Sequence, residues 1–98
     1  MATALATTIV NGAQIQASDT WDPASIANGA SLTLAMANVT GAALGDFVIA
    51  SFSLTIAGMV LSAEVSAANT VAVTLINNTG GAVDLGSGTI TVRVLKAE

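Results

Sequence analysis

Apolar and small polar residues alternate with a period of two along most of the chain from Ser31 onward. That spacing puts successive side chains on opposite faces of a β-strand. In Ser31–Val39, Leu32, Leu34 and Met36 share one face while Thr33, Ala35 and Ala37 take the other. In Asp46–Ile56, Val48, Ala50, Phe52, Leu54 and Ile56 are set against Ser51, Ser53 and Thr55. Met59, Leu61, Ala63 and Val65 alternate with Val60, Ser62, Glu64 and Ser66. Val71, Val73 and Leu75 alternate with Ala72, Thr74 and Ile76, and Ile90, Val92 and Val94 with Thr89, Thr91 and Arg93. The pattern predicts five strands, each with one apolar face. Alanine is abundant and favours helices, but no i, i+3, i+4 pattern persists, and Val, Ile and Thr dominate the periodic segments.

The punctuation predicts short connections. Ala57-Gly58 reads as a hairpin link, and Ala67-Ala68-Asn69 as a second tight link. Asn77-Asn78-Thr79-Gly80-Gly81 is a glycine-rich turn. Gly41–Gly45 is too short for a helical crossover, so antiparallel pairing follows. The expected fold is all-β: an antiparallel β-sandwich or a small jelly-roll-like barrel. The first residues lack a period. Asn11-Gly12 lies between Thr8-Ile9-Val10 and Ala13-Gln14-Ile15 as a possible hairpin turn with weak flanks. Residues 1–18 are therefore read as an extended N-terminal arm or weak hairpin, and residues 19–98 as a single sandwich domain.

Charge changes the picture. Of 98 residues only two are basic, Arg93 and Lys96, and six are acidic, giving a net charge of −4. Charged residues make up 8% of the chain, against about 25% in an average soluble domain. Lone β proteins use charge to stay soluble and to blunt sheet edges. A surface of Ala, Ser, Thr, Asn and Gly instead suits burial against copies of itself or against a larger particle. The acidic balance argues against nucleic acid and against anionic membranes, which both need clustered cations. No apolar run approaches the ~20 residues that span a bilayer. The N-terminus has no basic region ahead of an apolar one, so no secretory signal is expected and synthesis in a cytosol is.

Candidate chemistry is sparse. Histidine and cysteine are absent, which removes the commonest general base, the common nucleophile–base pairs, disulfides and His/Cys zinc sites. Lys96 lacks any phosphate-loop context. Asp19 and Asp22 fall in Ser18-Asp19-Thr20-Trp21-Asp22-Pro23, which has carboxylates for Ca²⁺ but not the dense Asp/Asn/Gly spacing of a calcium loop, so turn formation is the better reading. Asp46 and Asp84 read as turn formers rather than as an acid–base pair. No catalytic residue, metal or cofactor is predicted, and the chain is not expected to be an enzyme. Trp21 either anchors an interface or closes one end of the sandwich. Trp21, Pro23 and the arm residues Ile9 and Val10 are the candidate interface residues, because aromatic anchors and extended arms commonly serve there.

Several stretches carry a resemblance. They are Thr20-Trp21-Asp22-Pro23-Ala24-Ser25-Ile26, Ala27-Asn28-Gly29-Ala30 and Val39-Thr40-Gly41-Ala42-Ala43-Leu44-Gly45-Asp46. Phe52-Ser53-Leu54, Gly58–Val71 and Asn77–Leu85 continue it, so that it spans about Thr20 to Leu95. Together they resemble small β-sandwich structural proteins of tailed bacteriophages and prophages, which are associated with capsid decoration, or cement, roles and with tail fibres. The resemblance implies a trimeric virion protein on the outer capsid surface, made in the bacterial host cytoplasm. Its partners would be the major capsid protein and itself as a homotrimer, with the arm Met1–Asn11 reaching over neighbouring subunits. The alternative is a tail-fibre or receptor-binding β module that recognises a host surface glycan.

Overall fold

A computed structural model describes residues 14–97. Six strands form in chain order: β1 (Gln14–Trp21), β2 (Ser31–Met36), β3 (Phe47–Phe52), β4 (Val60–Ala67), β5 (Thr70–Ile76) and β6 (Gly88–Leu95). They make two three-stranded antiparallel sheets, ordered β1-β6-β3 and β2-β5-β4. The protein is therefore all-β, and its two separate sheets choose the sandwich over the closed barrel. The arm Met1–Asn11, the Asn11-Gly12 turn, Ile9 and Val10 lie outside the described residues.

The inward positions follow the sequence pattern. Ile90, Val92 and Val94 of β6 meet Val71 and Val73 of β5, Met36 of β2 and Val65 of β4 in one buried cluster. Val48, Ala50 and Phe52 of β3 pack against it, as do Ile15, Ala17 and Trp21 of β1. A second cluster of Ile26, Met59 and Leu75, covered by Leu32, Ile56, Val83 and Leu85, fills the end of the sandwich where the 22–30, 53–59 and 77–87 connections gather. Trp21 packs against both clusters.

Three expectations change. The sandwich takes in Gln14–Ser18, which the sequence pattern assigned to the arm, because β1 pairs along its whole length with β6 from Gln14↔Leu95 to Trp21↔Gly88. Ala57-Gly58 is not a hairpin link: β3 and β4 lie in different sheets, and the chain crosses between them. The same is true of Gly41–Gly45, which joins β2 to β3. The cause of the first crossing is visible in the core. Strand β3 stops at Phe52, Ser53 N–H donates to Thr89 O at 2.9 Å, and Ile56 and Met59 then turn inward onto the second cluster. Ala57 (φ 53°) and Gly58 (φ 88°) supply the left-handed backbone that this reversal needs. Among the described residues Ala67-Ala68-Asn69 is a hairpin as predicted, joining β4 to β5 with Asn69 at φ 62°.

Asn77 holds the second end together. Its side chain is fully buried, and its Nδ2 donates to Ile26 O at 2.7 Å and to Gly81 O at 2.8 Å. Its Oδ1 accepts from Thr79 N–H at 2.9 Å and from Thr79 Oγ1 at 2.8 Å. Every hydrogen-bonding position of the amide is thus used, as a buried polar group requires. The segment carrying Ile26 is docked further by a bridge to Val83, with N–H to O distances of 2.8 and 3.0 Å.

Candidate interaction surface

The outward positions of the two sheets make two unlike faces. On β2-β5-β4, cross-strand rows run Thr33–Thr74–Ser62 and Ala35–Ala72–Glu64, a floor of small side chains with one charge. Thr33 and Thr74 share a hydroxyl hydrogen bond at 3.0 Å, so these polar atoms pair along the surface rather than project from it. At one end of this face Val60 and Ile76 stand opposite each other.

The outer face of β1-β6-β3 is bulkier. Its rows run Gln14–Leu95–Phe47, Gln16–Arg93–Ile49 and Ser18–Thr91–Ser51. Phe47 is 64% exposed and Ile49 60% exposed, and Leu44 lies exposed in the loop just ahead of them. Covering an aromatic or aliphatic side chain of this kind is worth about 1.5–3 kcal/mol. Beside Ile49 lies a shallow depression of about 240 Å³ lined by Gln16, Ile49, Ser51, Thr91 and Arg93. Arg93 Nη2 donates to Gln16 Oε1, a neutral partner, at 2.5 Å. Apolar side chains grouped with an arginine and rimmed by hydroxyls and amides have the composition of a protein interface.

The two cations are used differently. Lys96 Nζ donates to Asp46 Oδ2 at 2.6 Å and to Gly41 O at 2.8 Å, and the Asp46 side chain is only 4% exposed. Asp46 also accepts Ala43 N–H at 3.0 Å and Ala97 N–H at 2.9 Å. One carboxylate thus ties the 41–46 loop to the C-terminal strand end, and it fixes the loop from which Phe47 emerges. The Lys96 hydrogen bond, aided by the backbone donors at Ala97 and Ala43, holds the Asp46 carboxyl below its ordinary 3.8. Asp46 is a turn former, as its sequence context predicts. Arg93 has no carboxylate partner among the described residues and stays exposed on its face.

The sequence candidates fall elsewhere. Trp21 is half-buried, its ring centroid 6.1 Å from that of Phe52 at a 54° tilt, and it closes the end of the sandwich. Pro23 is buried within its own chain and presents no surface to a neighbour. Asp19 does not form a turn: it lies within β1, opposite Ile90, with its Oδ1 accepting the Thr20 N–H at 2.9 Å, and Asp22 is exposed just past the strand end. No group of three or more His, Cys, Asp or Glu side chains comes together among the described residues. Phe47 and Ile49 carry the exposed apolar surface that the sequence reading did not single out. Their signal was present in the alternation: both share a face with Ser51, opposite Val48, Ala50 and Phe52. No helix among the described residues is long and apolar enough to cross a membrane. No protein-family model matches the chain, and no curated protein matches it.

Proposed function

We propose that this chain is a capsid decoration (cement) protein of a tailed bacteriophage. In this reading it is a homotrimer on the outer surface of the virion that bridges and stabilises major capsid protein subunits. The supporting observation is the pair of outer sheet faces, nearly free of charge, one of them carrying exposed Phe47 and Ile49 around Arg93. Such faces bind neighbours through many modest contacts and need no catalytic group. Bridging then follows from multivalency: once one copy of a trimer is seated, the others meet their capsid sites at high effective concentration, and contacts that are weak singly hold together. The arm Met1–Asn11, with Ile9 and Val10, belongs to this proposal as a further reach onto neighbouring subunits.

The resemblance to small phage β proteins and the neutral faces support the same reading from independent directions. Its test is binding to shells assembled without the protein. Purified protein should pellet with such shells and raise their resistance to heat, and protein that stays in the supernatant at saturating concentration would refute it. A second reading, a tail-fibre or receptor-binding module for a host glycan, is favoured by one observation. Phe47 is an exposed aromatic platform one row from the depression at Arg93, and sugars stack on such platforms. Binding on a glycan array that is lost in Phe47→Ala would favour it over the cement role.

A further inference from the structure

The outer edge of β1 is closed at one end and open at the other. Ser53 N–H donates to Thr89 O at 2.9 Å, so at Thr89 the backbone groups of β6 point to β3. Antiparallel pairing alternates, so Ile90, Val92 and Val94 bond instead to Asp19, Ala17 and Ile15 of β1. The backbone groups of Gln14, Gln16, Ser18 and Thr20 therefore point away from the sheet. At one end side chains meet them: Asn38 Nδ2 donates to Ser18 O at 3.2 Å, and Asp19 Oδ1 accepts Thr20 N–H at 2.9 Å. At the other end, no described residue bonds to the N–H and C=O of Gln14 and Gln16 or to Ser18 N–H. Ile15 and Ala17, on the inward face there, are only half-buried, while Val94 and Val92 opposite them are fully buried. Such an edge is a template for one more strand.

We propose that residues 7–11 of the same chain are that strand. The segment joins β1 at Gln14, where the open part of the edge begins, and Thr7-Thr8-Ile9-Val10 is uncharged and strand-forming. The phase of the backbone also selects the turn. A two-residue hairpin loop is flanked by a pair that exchange hydrogen bonds. An Asn11-Gly12 loop asks this of Ala13 and next of Ile15, whose backbone groups are already spent on β6. A Gly12-Ala13 loop is flanked by Asn11 and Gln14, in phase with the open groups, and it puts glycine at the first central position that a type II′ turn demands. The register is then Asn11↔Gln14, Ile9↔Gln16 and Thr7↔Ser18, and it stops where Asn38 occupies Ser18 O. Val10 falls opposite Ile15 on the inward face. Ile9 joins the outward row of Gln16, Arg93 and Ile49, the residues of the shallow depression. The added strand thus widens the exposed apolar face, and the part of Ile9 in gripping a capsid rests on the cement reading.

Nuclear magnetic resonance of the full chain tests the strand. Close Hα–Hα contacts mark antiparallel pairs that do not exchange hydrogen bonds, so they should join Val10 to Ile15 and Thr8 to Ala17. The Gln16 and Ser18 amides should exchange with solvent ~10-fold or more slowly than in Ile9→Pro, which removes the N–H bonded to Gln16 O. Contacts of Ile9 with Gln14 and Thr7 with Gln16 instead would overturn the turn and register. Equal exchange in parent and variant, with no such contacts, would overturn the strand altogether. In a mixture of isotope-labelled and unlabelled chains, contacts running between copies would overturn the same-chain occupant in favour of a second copy. Ile9→Ser should keep the Val10–Ile15 contact and bind capsid shells ~10-fold more weakly, because it strips an apolar side chain from the face. Unchanged shell binding would remove Ile9 from that face. If the parent shows the contacts but binds no shell, the cement reading fails and the strand stands.

Discussion

Replacing Asn77 tests whether the polar hub holds the second end of the sandwich. Asn77→Ala removes four hydrogen bonds at a fully buried position. The losses are unequal. Ile26 O keeps the Val83 N–H at 3.0 Å, and Gly81 O, 3.1 Å from Thr79 Oγ1, gains the hydroxyl proton that Asn77 Oδ1 no longer accepts. Thr79 N–H is left without a partner, but it lies in an exposed turn where water reaches it. Net hydrogen bonds in proteins are worth about 0.5–1.5 kcal/mol each, so two or three effective losses amount to ~1–4.5 kcal/mol. That is a large part of the ~5–15 kcal/mol available to a whole domain. Asn77→Asp keeps the shape but sets a carboxylate against the carbonyls of Ile26 and Gly81. Its folded form resists ionisation, so its penalty grows as pH rises above the ordinary carboxylate range, and it should be worse than alanine at pH 7 and closer to it near pH 4. Urea unfolding followed by the fluorescence of Trp21, the single tryptophan, reads the change, because Trp21 packs on the cluster that Asn77 braces. An alanine variant within ~0.5 kcal/mol of the parent at unchanged m-value, or an aspartate variant with no pH dependence, would refute the role given to this side chain.

Two further predictions concern the frame around the surface. Gly88→Ala should lose ~1–3 kcal/mol in thermal or urea unfolding, because a Cβ there would stand 2.8 Å from Ser53 Oγ and 2.9 Å from Phe52 Cε1. Lys96→Met should make the protein more sensitive to acid. The paired Asp46 carboxyl is depressed, so its contribution is present above the unfolded value near 3.8 and is lost as pH falls through the lower folded value. Without Lys96 that contribution is missing, so the variant should be less stable than the parent in urea at pH 7, the two should converge as pH falls through the folded value, and the acid-unfolding midpoint followed by circular dichroism should move up. An unmoved midpoint would show that the pair does not secure the 41–46 loop.

The strands from Ser31 onward were legible because each buries one face, and burial imposes a period of two on the residues. The inward faces of β2, β4, β5 and β6 match that period position by position. Strand β1 was not legible. Its inward positions include Ile15, Ala17 and Trp21, but Asp19 occupies the remaining one, at a free sheet edge where water can reach it. Its place comes from pairing with β6, more than sixty residues away, which no local pattern encodes. Sheet membership was hidden for a similar reason. A short glycine link serves a hairpin within one sheet or a crossing between two, and what chose the crossing was the pull of Ile56 and Met59 into the second cluster. Asn77 reads as a turn residue in the sequence, and only the closing of the 22–30 and 77–87 connections over it makes it a buried hub. The exposed pair Phe47 and Ile49 was written in the alternation but looked like ordinary strand content until the register put both beside Arg93.

In the proposed role the neutral outer sheets are covered by neighbours on a virion. Electron microscopy of shells assembled with and without the protein tests it most directly. Extra density should stand on the outer capsid at threefold or quasi-threefold positions, fitted by three sandwiches with Phe47 and Ile49 out of solvent. Shells with no added density, or density confined to the tail, would contradict it.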